Sequence, residues 1–521
     1  MPLLLNDTPI SSETRFRPLM ELADEAFPQT PDQMLSLEQR LALSAGHVAD
    51  RLLEQHLRRA HAERAFVEKA IASAREHSLV PLLHKGCKTI SVLALGGTHV
   101  VISTPYLRED RRNRRGKRRR KRHAMGSGCY PVLEALGIAD RVTPATRSEI
   151  ALHVVQAASY SEAAALLERR GLSCDVESLV RVAEATATAS LRLRDAALAA
   201  AMQIAVPTHG PLSGKRVRVS TDGGRVRTRV SKRGRKPKAG RHRFTTPWKE
   251  PRLLVIDILD EEGTPDRLRL PLYDAIIADA DTVVSLIIGY LRLLGAAHAQ
   301  VVEFIADGAP WIWQRLTKIR EGAEIAQDRC VDVLDFYHAS QYLAQTVELC
   351  RSLPKPQRVK LSERLRHALR HDADGVETIL RAMGALATTR RGKVMKRALE
   401  FFREHAGRMR YHDLDQRKLP VGSGQVESAV RRVVNLRFKA PGTFWGEARV
   451  SHLLHLRASF KAGRWEEVMR GVLSGQFQLP SFEVLDRIAA RAHAAAEAEE
   501  LFDDIVAAAL ITHDEAEQAA A

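Results

Sequence analysis

Cysteine is scarce in this 521-residue chain: Cys87, Cys129, Cys174, Cys330 and Cys350 are scattered, with no CxxC pair. That pattern excludes a disulfide framework and a cysteine-built zinc site, and it fits a reducing compartment. Long apolar runs are also missing. None approaches the roughly 20 residues of a membrane span, so no membrane partner is expected. The opening MPLLLNDTPISSETR lacks the basic start and apolar centre of a secretion signal. No segment recurs at a fixed period. Acidic charge is the minority sign: 63 Asp and Glu stand against 80 Lys and Arg, a formal net charge of +17. Such an excess points to an anionic polymer as partner. With an Ala- and Arg-rich composition of bacterial cast, the expected place is the cytoplasm, close to the nucleoid.

What is present begins with a hydrophobic fraction of 45%, that of a globular protein, in a chain long enough for about two to four domains. Residues 33 to about 78 carry leucines at helical spacing. TISVLALGGTHVVIS reads as a hairpin turning at Gly96-Gly97. Ten of the thirteen residues 111–123 are Arg or Lys, which predicts a solvated loop. Three helices follow between Arg147 and about Ala189. Ser159 and Glu162 are spaced as a capping box and Gly171 as the stop, which fits a helix-turn-helix or a plain bundle. From about 215 the pattern changes to strands and then alternating helix and strand, the signature of an α/β mixed sheet. VRVSTDGGRVRTRV reads as strand, turn, strand; RLLVIDILDEEG and RLRLPLYD read as two more strands. Residues 355–415 read as helix throughout, and SGQVESAVRRVVNLRF as a helix capped by Ser423.

Three acids stand where chemistry would need them. Asp222 and Asp307 each end an apolar strand, and Glu427 lies in the first turns of a helix. Alone, each has a plain explanation: a turn former, a helix cap beside Pro310, and a first-turn acid favoured by the helix dipole. Together they are the oxygen set a hard divalent cation takes. Asp335, followed by Phe336-Tyr337-His338, is the rival ligand, with His338 beside it. The loop after Asp222 carries Arg225, Arg227, Lys232, Arg233, Arg235 and Lys236, a phosphate-contacting set. Trp311, Trp313 and Trp445 are candidates for stacking on an unpaired base, Trp313 being more plainly a core residue. In the helix-turn-helix reading Arg181, with Glu177 and Ser178, faces the bases.

The motifs STDGGRV, ADGAPWIW, LDFYHASQYL and VGSGQVESA, with NLRFK and a later GxxW, resemble the D-D-E transposases, most closely insertion-sequence transposases of the Kra group, over roughly residues 80–470. The resemblance implies an α/β catalytic core with a ribonuclease H-like mixed sheet, joined to a helical N-terminal region, a helix-turn-helix module and an all-helical insertion. The implied boundaries are 1–80 for the helical region, 81–200 for hairpin, basic loop and helix-turn-helix, 212–350 and 419–475 for the core, 351–418 for the insertion and 476–521 for a helical tail. It further implies that Asp222, Asp307 and Glu427 hold Mg²⁺ or Mn²⁺ and that the substrate is double-stranded DNA at transposon ends. A homo-oligomer is implied too, because two ends must be joined. Where the resemblance leads one to expect a cysteine ribbon, only Cys129 stands, so zinc is not expected. The alternatives are a ribonuclease H-like nuclease without strand transfer and a non-catalytic DNA-binding derivative.

Overall fold

The structure is a computed structural model and describes residues 12–23, 25–110, 128–232, 234, 243–385, 392–440 and 442–483. The basic run 111–122, Arg233, Arg235, Lys236 and the tail beyond 483 lie outside the described residues. The chain divides into two compact units, the first ending at Thr186 and the second starting at Ala187. Among the described residues no helix is long and apolar enough to cross a membrane.

In the first unit α1 (Ser12–Ala23) precedes α2 (Pro31–Ala62) and α3 (Arg64–Glu76). The single helix expected over 33–78 is thus two, parted at Glu63, whose backbone is extended. Thr30 caps α2 by accepting from Gln33 N, with Pro31 pre-set for the first turn. β1 (Leu82–Leu93) and β2 (His99–Glu109) form the antiparallel hairpin, and β3 (Gly128–Cys129) pairs with the end of β2. Gly97 turns the hairpin at φ +89°, which a side chain would strain. Buried Asp50 of α2 accepts from the N–H groups of Gly96 and Thr98, both at 2.9 Å, and so fixes the turn against the helix.

Next come α4 (Pro131–Ala135), α5 (Pro144–Gln156), α6 (Tyr160–Glu168) and α7 (Val176–Ala201). The capping box of α6 forms: Ser159 accepts from Glu162 N at 3.0 Å, and the Glu162 carboxylate accepts from Ala158 N at 2.7 Å. Gly171 turns the chain at φ +81°. Asp175 caps α7 through Ser178 N at 2.8 Å. Read as ending near Ala189, α7 runs on to Ala201, because SLRLRDAALAAA is built from strong helix formers.

In the second unit β4 (Arg216–Gly223) does not turn back on itself. It leads into an arm where β5 (Val226–Arg227) and β6 (Val230–Ser231) pair with β8 (Trp248–Lys249) and β7 (Phe244–Thr245) respectively. The expected strand-turn-strand therefore fails. The partner of β4 is β9 (Arg252–Leu259), because RLLVIDIL offers eight consecutive pairing positions. With β10 (Leu272–Ile276), β11 (Val301–Ala306) and β12 (Cys330–Leu334), the five-stranded sheet runs in the order β10–β9–β4–β11–β12. β10, β9 and β4 are antiparallel neighbours; β4, β11 and β12 are parallel. The strand expected over RLRLPLYD begins only at Leu272.

The helices of this unit are α8 (Ala280–Leu293), α9 (Pro310–Trp313), α10 (Leu316–Gly322) and α11 (Phe336–Val347), then α12 (Lys355–His371), α13 (Gly375–Ala385), α14 (Gly392–His405) and α15 (Tyr411–Gln416). α16 (Gly424–Val430), a π turn at Arg431–Asn435 and α17 (Leu436–Phe438) make one continuous rod, followed by α18 (Glu447–Lys461) and α19 (Trp465–Ser474). β4, β9 and β11 are buried along nearly their whole length, as a sheet covered on both faces requires. Val219, Ile256, Ile287 and Ile305 share one apolar cluster with Leu365 and Phe402 of the insertion. The insertion is therefore part of this core, and truncating such a leucine to alanine costs about 2–5 kcal/mol.

Candidate active site

The strand register brings three acids to one row. Val301 lies opposite Arg216, an offset of 301 − 216 = 85, and 307 − 222 gives 85 again. Val302 lies opposite Cys330, an offset of 28, and 335 − 307 gives 28. Asp222 near the end of β4, and Asp307 and Asp335 directly after β11 and β12, thus stand at the same level, at the carboxyl end of the three parallel strands. Crevices at that end are where open α/β sheets bind ligands.

The three are not equivalent. Asp335 is fully buried. Its Oδ1 accepts from His338 N at 2.7 Å and faces His338 Nδ1 at 3.2 Å, and its Oδ2 accepts from Ser423 N. Burial works to raise its pKa, but the hydrogen bonds from His338 and Ser423 outweigh it and hold the carboxyl below its ordinary value. Both oxygens accept from helix ends, so Asp335 caps α11 and clamps the start of α16. Asp222 and Asp307 are only half-buried. Asp222 Oδ1 accepts from Gly223 N at 2.6 Å, and Asp307 Oδ1 accepts from Ala309 N at 2.9 Å. Their Oδ2 atoms take no hydrogen bond among the described residues. Trp313 is buried and donates its indole N–H to the Asp307 carbonyl at 2.6 Å, which fixes the loop.

Glu427 arrives from α16. Ser423 stands at the cap position, yet its hydroxyl does not cap the helix; its backbone N–H is held by Asp335 instead. Phe336 N donates to Val421 O at 2.8 Å beside this clamp. Glu427 Oε1 lies 4.0 Å from His338 Nδ1, with its side chain half exposed. Asp222 is raised above its ordinary value by burial first, against the Gly223 N–H, and then by the negative charges of Asp307 and Glu427. The three acids are thus close enough for their charges to interact. His338 is raised by its hydrogen bond to Asp335 first, against burial, and then by the charges of Asp335, Asp307 and Glu427.

A hard divalent cation fits this set in kind. The donors are carboxylate oxygens, and the repulsion that lifts Asp222 is what such a charge relieves. The cage is not closed: among the described residues no three His, Cys, Asp or Glu side chains already stand as a metal-holding group. Burial and then the charge of Glu134 push the Cys129 thiol up to about 11.

Around the acids, Arg252 pairs in register with Gly223, and its guanidinium lies 4.1 Å over the Trp311 ring. Nothing in the sequence marked Arg252, because only the antiparallel register sets it beside Asp222. Trp445 is buried against Phe438 and Arg437, so it is no stacking surface. Arg225 and Lys232 are exposed, while Arg227 lies over aromatic rings. In the first unit Arg181 is exposed and donates to Ser178 Oγ at 3.2 Å, whereas Leu179, Val180 and Val182 are buried.

No family model matches the chain, and no curated protein matches it. Among solved structures, the Drosophila P element transposase strand transfer complex is similar with a TM-score of 0.21 and 12% identity, over 65% of this chain and 83% of that one. A likeness at that score carries no argument, and the site is read from its own residues.

Proposed function

We propose that this chain is a D-D-E transposase that cleaves DNA strands at the ends of an insertion element and joins them to a target. The observation that carries the reading is the shared row of Asp222 and Asp307, with Glu427 brought to it from a helix. The sheet order supports it: three antiparallel strands followed by two parallel ones, with the first strand central, is the order that a ribonuclease H-like core would have. Asp222, Asp307 and Glu427 would hold Mg²⁺ or Mn²⁺. Bound there, such ions activate a water or a DNA 3′-hydroxyl and stabilise charge at the phosphorus. The chain's own groups do the rest. Asp335 anchors α11 and the start of α16, and so sets where Glu427 stands. His338, raised and facing Glu427, is placed to hold a proton near the leaving or attacking oxygen. Arg252, planar and stacked, presents donors suited to a phosphate beside Asp222. The +17 charge suits a DNA substrate, and the helix-turn-helix reading of α6 and α7 gives it a sequence-reading element. Joining two ends calls for a homo-oligomer.

The test is a nicking assay on supercoiled plasmid carrying candidate element ends, with Mg²⁺, with Mn²⁺ and with chelator. Metal-dependent nicking followed by strand joining is the expected result. Nicking without joining returns the reading to a nuclease of the same fold. No metal-dependent cleavage by a folded, DNA-bound protein would sink it.

A further inference from the structure

We propose that the arm formed by β5 to β8, together with Phe444, is a stacking platform for unpaired nucleobases; the proposal rests on the reading of the neighbouring carboxylates as a DNA-processing site. The chain leaves the sheet immediately after Asp222 and enters the arm at Val226. Arg227 pairs with Trp248, and Ser231 with Phe244. The segment following the Glu-bearing rod then locks onto the same arm. Trp445 N donates to Arg227 O at 3.1 Å, and Arg229 N donates to Trp445 O at 2.7 Å, which places Phe444 among the arm's aromatics. Residues from both flanks of the acid set therefore build one surface.

That surface is unlike the rest of an aromatic-poor chain. Trp248 is 49% exposed, Phe444 38% and Phe244 37%. The Phe244 and Phe444 rings lie 5.8 Å apart, tilted. The Arg227 guanidinium lies 5.0 Å from the Trp248 ring and 5.9 Å from Phe444, and that of Arg229 lies 4.3 Å from Phe244. Among the described residues neither arginine is paired with a carboxylate. Exposed rings interleaved with guanidinium planes are a hydrophobic surface that repels a cationic partner and attracts an anionic one with flat π faces. A nucleic-acid strand has both properties. A paired duplex keeps its base faces stacked inside, out of reach of rings held on a rigid strand pair. Bases freed from pairing present them. Next to Asp222, such a platform would hold nucleotides splayed from the duplex beside the strand being processed.

The experiment uses the full chain without divalent metal, so that no cleavage occurs. Binding is followed by fluorescence anisotropy to an oligothymidine and to a blunt duplex, and by quenching of a fluorescent purine analogue placed in a single-stranded overhang. The parent is expected to quench the analogue. Trp248→Ala and Phe444→Ala should each weaken single-strand binding by about tenfold and relieve the quenching, while duplex binding changes little. Trp248→Phe, which keeps a ring, should restore most of both, and this separates stacking from a folding defect. If the alanine variants bind oligothymidine as the parent does, or lose single strand and duplex alike, the platform is refuted. It is equally refuted if they leave DNA binding intact and instead change the protein's mass in solution, since the patch is then a contact between copies. A parent that quenches the analogue yet never nicks plasmid leaves this proposal standing and removes the cleavage reading; one that nicks without preferring unpaired bases does the reverse.

Discussion

Two rows of the same sheet hold acids in opposite circumstances. At the carboxyl ends of β4, β11 and β12, Asp222, Asp307 and Asp335 share one level. Inside, Asp257, Arg218 and Glu303 sit side by side on β9, β4 and β11, all buried. The inner Arg218 is committed to Asp257 at 2.8 Å, and among the described residues Glu303 has no hydrogen-bond partner on either oxygen. Burial pushes Glu303 up to about 8, against the pull of Arg218, so it is neutral at pH 7. Of the edge acids, Asp335 is buried too, while Asp222 and Asp307 are half-buried and each keeps one oxygen that takes no hydrogen bond among the described residues. A carboxyl is thus a silent neutral group in the inner row, while at the edge two carboxyls keep an oxygen unspent. What separates them is water and unspent lone pairs, not distance along the strand.

The largest break in this comparison is expected at the edge. Asp222→Asn, Asp307→Asn and Glu427→Gln should each lower metal-dependent cleavage by at least about a thousandfold, because ligation to the ion is worth several kcal/mol in the transition state. DNA affinity in chelator should hardly move, and a variant that cleaves normally in Mg²⁺ is not a ligand.

Next, Asp335→Ala should cost about 2–4 kcal/mol in chemical denaturation, because buried N–H groups of His338 and Ser423 lose their acceptor. The His338 pKa should fall toward its ordinary 6.5, readable by NMR, since its hydrogen bond to Asp335 is the first cause of its elevation. Unchanged stability together with lost metal affinity would make Asp335 a ligand after all.

The inner row gives a smaller effect of opposite sign. Glu303 is raised from 4.5 to about 8, so the stability tied to its proton is whole below 4.5 and is lost as pH rises through about 8. Glu303→Gln should remove that loss and stabilise the protein at pH 8 by about 1 kcal/mol or more. A melting temperature that tracks pH identically in parent and variant would contradict it.

The smallest effect returns to the edge. Asp222 is also raised, so its favourable contribution lies below 3.8 and fades as pH rises through the folded value. In metal-free buffer at pH 7, Asp222→Asn should therefore raise stability slightly, by less than about 1 kcal/mol. Added Mg²⁺ should cancel or invert the difference; a gain that Mg²⁺ leaves unchanged would mean that Asp222 does not hold the ion.

Much of this was legible in the residues. Apolar runs ending in Asp222 and Asp307 announced strand ends, and the Ser159–Glu162 spacing announced a helix start, because both signals are local. The row itself was not, since an offset of 85 residues becomes a neighbour only through pairing. The capping role of Asp335 was hidden because an acid after a strand looks the same whether it faces solvent or caps two backbone ends. The arm was misread because β-branched residues on both sides of Gly223-Gly224 imitate a hairpin, while the better partner for β4 lay further along in RLLVIDIL. Trp445 was a candidate stacking ring and is buried, while exposed Trp248 went unmarked, for the same reason: exposure is settled by what packs on top.

The clamp at Asp335 also imposes an order in time. Its two partners, His338 and Ser423, are separated along the chain by the whole helical insertion, whose apolar residues belong to the sheet's own core. A ribosome emits Asp222 and Asp307 early, and the third acid only after that detour is complete. A nascent or broken chain stopping short of Ser423 carries two acids in a row and no means of finishing the set. On the proposed reading, competence to cut DNA would be deferred until this unit has been synthesised and closed upon itself, a proofreading of completeness written into the path of the backbone.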